Sequence, residues 1–152
     1  MRLSGDIELY KELFRHIYRM HIDVDYRREI YLHHVVLCGK KRKQYPASTV
    51  GAECNGVSKI GNSHISSSET HFHQMVLNAL INNFGHLNVL ENHSGNHVGH
   101  CAENYAASDV LRELARCQNL ICGLSDICFT DAFQPRTWKM MDWCYICHTI
   151  FD

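Results

Sequence analysis

Cys101-Ala-Glu103 and Cys144-Tyr-Ile-Cys147 restrict the fold of this chain more than any other segments do. Each reads as the start of a helix. A cysteine in a first helical turn sits in the positive end of the helix dipole, which favours thiolate over thiol. Two residues between Cys144 and Cys147 let both sulfurs reach one tetrahedral ion at about 2.3 Å. If Cys101 joins them, two helix starts separated by about forty residues and a strand must meet in space. Three protein ligands leave a fourth position for water, as a catalytic zinc site requires; a closed structural site needs a fourth protein ligand.

Glu103, two residues after the first ligand, can reach that water without binding the metal. Zinc lowers the pKa of bound water toward 7, making hydroxide available at neutral pH. Glu103 would take the proton from water, pass it to a ring nitrogen and then protonate a departing amine, the three-cysteine form of the zinc deaminase arrangement. His100 stands three residues before Glu103, whereas this spacing puts the ligand two before. Cys101 is therefore the expected ligand and His100 a neighbour of the site or a solvated loop histidine. Two other readings use the same cysteines. Cys144 and Cys147 form a redox pair beside a buried Cys101, or a structural zinc site is completed by Cys117, Cys122, Cys128 or His148.

With 152 residues the chain fits one domain with a real core. A formal net charge of −1 rules out a global basic field, so a nucleic-acid substrate would have to be gripped locally or presented unpaired. The N-terminus carries acidic and basic residues where a signal peptide needs an apolar stretch, and no run is long and apolar enough to span a membrane. No secretion signal and no membrane association are expected, although a fragment cut from a larger secreted protein fits the same sequence. Eight cysteines and twelve histidines make metal ligation by a subset the sharper expectation; the even cysteine count also permits disulfides.

Periodicity orders the elements. Ile7, Tyr10, Leu13, Phe14, Ile17, Tyr18 and His21 predict an amphipathic helix over 6–22, with Lys11, Glu12 and Arg15 on its wet side. Tyr31 to Leu37 is a short apolar run, strand or helical turn, followed by the basic cluster Lys40–Lys43. Asn55-Gly56, between the runs from Ala47 to Cys54 and from Val57 to Ile60, predicts a β-hairpin. Ser68 or Thr70 caps a helix over 71–84, residues 85–99 form a long loop, and 101–117 form the clearest helix. Leu124 to Phe133 reads as a strand, Gln134 to Met141 as a loop, and Asp142 or Trp143 opens a last short helix. The order argues for a mixed α/β sandwich.

At these residues the chain resembles the cytidine deaminase-like superfamily, and within it the YwqJ-like deaminases, found as toxin domains of bacterial polymorphic systems. The resemblance runs from about Tyr45 to the C-terminus. It rests on Pro46-Ala-Ser-Thr-Val-Gly-Ala52, Gly56-Val-Ser-Lys-Ile-Gly61, Gly99-His-Cys-Ala-Glu-Asn104 and Cys144-Tyr-Ile-Cys147. It implies a three-layer α/β/α sandwich with a mixed sheet, zinc held by Cys101, Cys144 and Cys147, and Glu103 as proton shuttle. The implied deaminase domain covers 45–152; residues 1–44 lie outside the resemblance and read as a helical extension packed on the core or against a fusion partner. Ala102 would lend its backbone to the base, and Gly61-Asn62 resembles a pair whose asparagine contacts ribose. Two departures stand out: His64 occupies the position of an expected glutamate, and Trp143 replaces the usual proline before CxxC, either offering a stacking face or serving as core.

The expected substrate is cytosine in single-stranded nucleic acid, DNA first, with an immunity protein as a partner if the domain is a toxin. Lys40–Lys43, Arg136, Lys139, Trp138 and Trp143 support this reading, since stacking is worth roughly 1–3 kcal/mol per base. Free cytidine, a nucleotide or adenine is the alternative, and a non-catalytic zinc-binding interaction domain is the alternative of another class.

Overall fold

Asn55 and Gly56 take φ of 50° and 81°, the left-handed pair that a two-residue hairpin turn demands. They join β1 (Thr49–Cys54) to β2 (Val57–Asn62) in antiparallel register from Cys54↔Val57 to Thr49↔Asn62. The structure, a computed structural model, describes residues 3–34, 45–120 and 122–152. The Lys40–Lys43 cluster and the end of the Tyr31–Leu37 run lie outside the described residues; 31–34 are helical.

Three shorter strands complete the sheet: β3 (Cys128–Phe129), β4 (Ala132–Gln134) and β5 (Lys139–Met141). Its order is β2-β1-β4-β5, with β3 also paired to β1. Every ladder among the described residues is antiparallel, and the one parallel pairing is the isolated bridge Leu3↔Phe129. The expected mixed sheet is corrected to an antiparallel one. The strand expected over 124–133 is broken as well. A single 3-10 turn at Leu124–Asp126 precedes β3, and Thr130 then leaves the ladder between β3 and β4, its Oγ1 accepting from the Gly51 amide at 2.9 Å. The segment expected as a loop, 134–141, is itself a hairpin, closed by the Trp138 N–H on the Gln134 carbonyl at 2.8 Å.

Two glycines identify what covers each face of the sheet. Successive strand residues point to opposite faces, and residues paired directly across the ladder point to the same one. A Cβ at Gly51 would lie 2.9 Å from Leu9, on α1 (Ile7–His34). A Cβ at Gly61, which pairs with Val50, would lie 2.6 Å from the Ala106 backbone nitrogen, on α3 (Ala102–Gln118). Helices therefore cover both faces, giving the three layers. α2 (Gln74–Phe84) and α4 (Tyr145–Phe151) pack with each other, and α2 packs on α3. The core joins Val76 and Leu80 of α2 to Val110 and Leu114 of α3 and Ile146 and Ile150 of α4.

The wet side of α1 is as expected, with Lys11–Glu8 and Arg15–Glu12 pairs, but its dry stripe is rotated. Leu9, Leu13, Ile17 and Val24 are buried, while Ile7, Phe14 and Tyr18 are exposed. Both sets recur at helical spacing, so periodicity alone does not choose between them. Ser68 caps the 3-10 turn Glu69–His71, whereas His73 caps α2, its ring Nδ1 accepting from the Met75 amide at 3.2 Å. Cys54 and Cys122 form a disulfide that ties the end of β1 to the segment after α3. It closes a loop across 68 residues, a constraint that acts mainly on the unfolded chain.

Candidate metal centre

Cys101 and Cys144 are the N-cap residues of α3 and α4, each in extended backbone (φ −68°, ψ 142° and φ −83°, ψ 167°). Their sulfurs thus project from the helix ends. Glu103 and Cys147 follow in the first turns. The segment leading into α3 is held by the His64 amide donating to the His100 carbonyl at 3.0 Å, which fastens it to the end of β2. α4 is held from beneath by Ile146, Ile150 and Phe151, all buried.

These placements bring the three sulfurs together. Cys101 Sγ lies 3.4 Å from Cys144 Sγ, and Cys144 Sγ lies 3.7 Å from Cys147 Sγ. All three ligand atoms fall within 4.8 Å of one another. Two sulfurs held about 2.3 Å from a tetrahedral ion stand about 3.8 Å apart, so the spacing fits one such ion. It is far too long for a disulfide, and all three cysteines are free. The four residues considered as a fourth protein ligand are engaged elsewhere. Cys122 is bridged to Cys54, Cys117 donates to Glu113 at 3.2 Å, Cys128 lies on β3, and His148 bonds Asp152 at 2.6 Å. The group could hold a metal ion, and its donors suit zinc.

Crowding three thiols sets their charges. Hydrogen bonds from Cys101 and Cys147, helped by Asn96, pull Cys144 down to about 2. Cys101 is pushed well above the ordinary thiol range, first by its bond to Cys144 and further by burial. Cys147 rises likewise, first through Cys101 and then Cys144. These opposed shifts concentrate negative charge on Cys144 and favour the thiol at Cys101 and Cys147; a divalent ion bound by all three would displace the remaining thiol protons. Glu103 is 5% exposed and its Oε2 lies 3.5 Å from Cys147 Sγ. Burial lifts its carboxyl to about 7, with the Cys144 charge adding to the rise. A buried carboxyl poised near neutrality is suited to accept and release protons.

Cys101 opens onto a cleft of about 1250 Å³, whose lining also includes Asn62, His64, His97, His100 and Arg136. Asn62 stands on its wall, with Oδ1 accepting from Thr49 Oγ1 at 2.9 Å and lying 3.2 Å from His16 Nε2. Ala102 is wholly buried against β2. Trp143 is placed differently from the stacking role weighed for it. It is 8% exposed and packs edge-on to Phe129 at 5.2 Å and to Phe151 at 6.1 Å, so it is core. His100 is more than a solvated loop residue. It is half-buried on the cleft wall, Nε2 lying 2.8 Å from Asn88 Oδ1, and burial, with His97 and His64 adding, lowers its pKa.

The 85–99 loop supplies the residues that sequence reasoning left unassigned. Glu91 organises it, accepting from the His93 amide at 2.8 Å and the Ser94 amide at 2.7 Å. This turn sends Asn96 toward Cys144 and puts His97 on the cleft wall. Burial pushes Glu91 up, but hydrogen bonds from Ser94 and His93 outweigh it and bring the carboxyl down to about 2 from 4.5. A depressed folded pKa contributes stability above the unfolded value that is lost as pH falls toward the folded one. Glu91→Gln is therefore expected to lower stability above pH 4.5 and to flatten the acid limb between 4.5 and about 2, as read by thermal melts across pH. An acid limb identical to wild type would show that the loop does not depend on this carboxylate.

No family model, no curated protein and no solved structure matches the chain.

Proposed function

We propose that the chain is a zinc-dependent hydrolytic deaminase converting cytosine to uracil, with single-stranded nucleic acid, DNA first, as substrate. The observation that carries this reading is the convergence of Cys101, Cys144 and Cys147 at ion-sized spacing beside the buried carboxyl of Glu103, with Cys101 lining an open cleft. When bound there, zinc supplies a Lewis acid that makes water nucleophilic at neutral pH. The three cysteines hold the ion. Glu103 accepts one proton from water and delivers it to the N3 atom of cytosine, then takes the proton of the hydroxyl added at C4 and passes it to the departing amine, so that cytosine and water give uracil and ammonia. The resemblance to YwqJ-like toxin deaminases supports the substrate class, a toxin role and an immunity partner.

Free cytidine or a nucleotide is a second reading, favoured by Asn62 on the cleft wall. Its acceptor is tied to Thr49, so the side chain is held in place beside the cleft. The test is a panel of single-stranded DNA, duplex DNA, RNA, free cytidine and free adenosine, with metal content measured on the same sample. Uracil formed in single-stranded DNA is the expected result. Turnover of cytidine alone overturns the nucleic-acid reading, and a zinc-loaded chain inert on every member favours a non-catalytic interaction domain.

A further inference from the structure

The β4–β5 hairpin forms one side of the cleft mouth, and three of its features converge. Arg136 lines the cleft and has no carboxylate partner among the described residues. Trp138 stands at the turn with φ 61° and is 40% exposed. A bulky residue is strained in that left-handed region, which glycine or asparagine occupies freely, and such strain gathers at functional positions. The third feature is a run of rings. Tyr45 on the cleft wall lies 5.0 Å from His21, and His21 stacks on Trp138 at 5.6 Å with only 7° between planes. His21 is locked in place, Nε2 lying 2.7 Å from the Pro135 carbonyl and Nδ1 lying 3.1 Å from the Tyr45 hydroxyl. The rings therefore lead from the cleft wall out to a part-exposed indole, alongside the Arg136 cation.

Aromatic surfaces beside a cationic side chain suit a polymer of stacked bases and phosphates. We propose that Arg136 and Trp138 form a subsite for the nucleotide flanking the target base in a single strand: Arg136 takes a backbone phosphate and Trp138 stacks on the neighbouring base. This deepens the deaminase reading and rests on it for the identity of the target base. The occupant is a nucleic acid because Tyr45, where the ring run begins, and Arg136 both line the cleft that reaches Cys101. Both are positioning residues, acting on the strand away from the reacting atoms.

The probe is a short single-stranded oligothymidylate, which has no exocyclic amine to lose, titrated onto the full wild-type chain. Trp143 is buried, so quenching of tryptophan emission reports Trp138. Saturable quenching is expected in wild type. Trp138→Ala is expected to weaken binding roughly 5- to 150-fold. Trp138→Phe, which keeps a stacking face, is expected to retain most of the affinity as read by anisotropy of a labelled strand. Arg136→Gln is expected to lower the slope of log affinity against log salt by about 0.7, one phosphate contact's share for a single strand. Binding without quenching, equal affinity in Trp138→Ala and wild type, or an unchanged salt slope in Arg136→Gln overturns the subsite, as does absence of binding. A chain that binds through Trp138 yet deaminates nothing in the substrate panel keeps the subsite and overturns the deaminase reading.

Discussion

Glu103→Gln is expected to keep its zinc and lose about 10²–10⁴-fold of its turnover, the usual worth of a positioned acid–base group. Three facts set this apart from an ordinary core substitution. Glutamine has the same shape, so the 5% exposed pocket under α3 stays filled. The carboxylate is outside the group of sulfurs that could hold the ion, so the donor set is unchanged. The amide cannot take a proton near neutral pH, whereas burial poises the carboxyl of Glu103 at about 7. The two readouts are kcat on the best substrate of the panel and zinc per chain. Wild-type turnover in the variant would remove Glu103 from the chemistry, and loss of zinc would make it a structural support for the metal.

Gly61→Ala is expected to damage the site from a distance. The new methyl would meet the Ala106 amide nitrogen at 2.6 Å and the Ala102 carbonyl oxygen at 2.7 Å. Both are helix backbone, which cannot turn aside as a side chain can. α3 must lift from β2, and Cys101 and Glu103 ride on its first turn. Overpacking of this kind costs about 1–3 kcal/mol, or roughly 2–12 °C in Tm for a domain this size. Zinc affinity should fall along with stability, because the Cys101 sulfur leaves its place beside Cys144. Gly5→Ala is the control, having no atom within 4 Å of the added carbon. A Gly61→Ala protein with wild-type Tm and zinc content would mean that the close approach of α3 to the sheet does not position the metal centre.

What was legible in the sequence is what local chemistry dictates. Asn55-Gly56 admits the left-handed turn at both positions, so the hairpin and its register follow from two residues. Cys101-Ala-Glu103 and Cys144-Tyr-Ile-Cys147 carry their own helix starts, and the convergence expected of their sulfurs is found. What depends on partners far along the chain was not legible. In the 134–141 segment Pro135 marks a turn but no Asn-Gly pair specifies a hairpin, and Trp138 adopts the left-handed position that sequence rules give to smaller residues. The break at Thr130 depends on its hydrogen bonds to Gly51, and the Cys54–Cys122 bridge on an approach that spacing does not encode. Trp143 reads equally well as platform or core from its type; burial against Phe129 and Phe151 decides for core. The rotation of α1 has the same origin, because only contact with the sheet separates Leu9 and Leu13 from Ile7 and Phe14.

X-ray absorption at the zinc edge, on protein purified under reducing conditions, examines the metal centre most directly. One zinc per chain is expected, with three sulfurs at about 2.3 Å and one lighter oxygen or nitrogen at about 2.0 Å. A chain without zinc, or a shell of four sulfurs with no lighter atom, would contradict an open three-cysteine site beside Glu103.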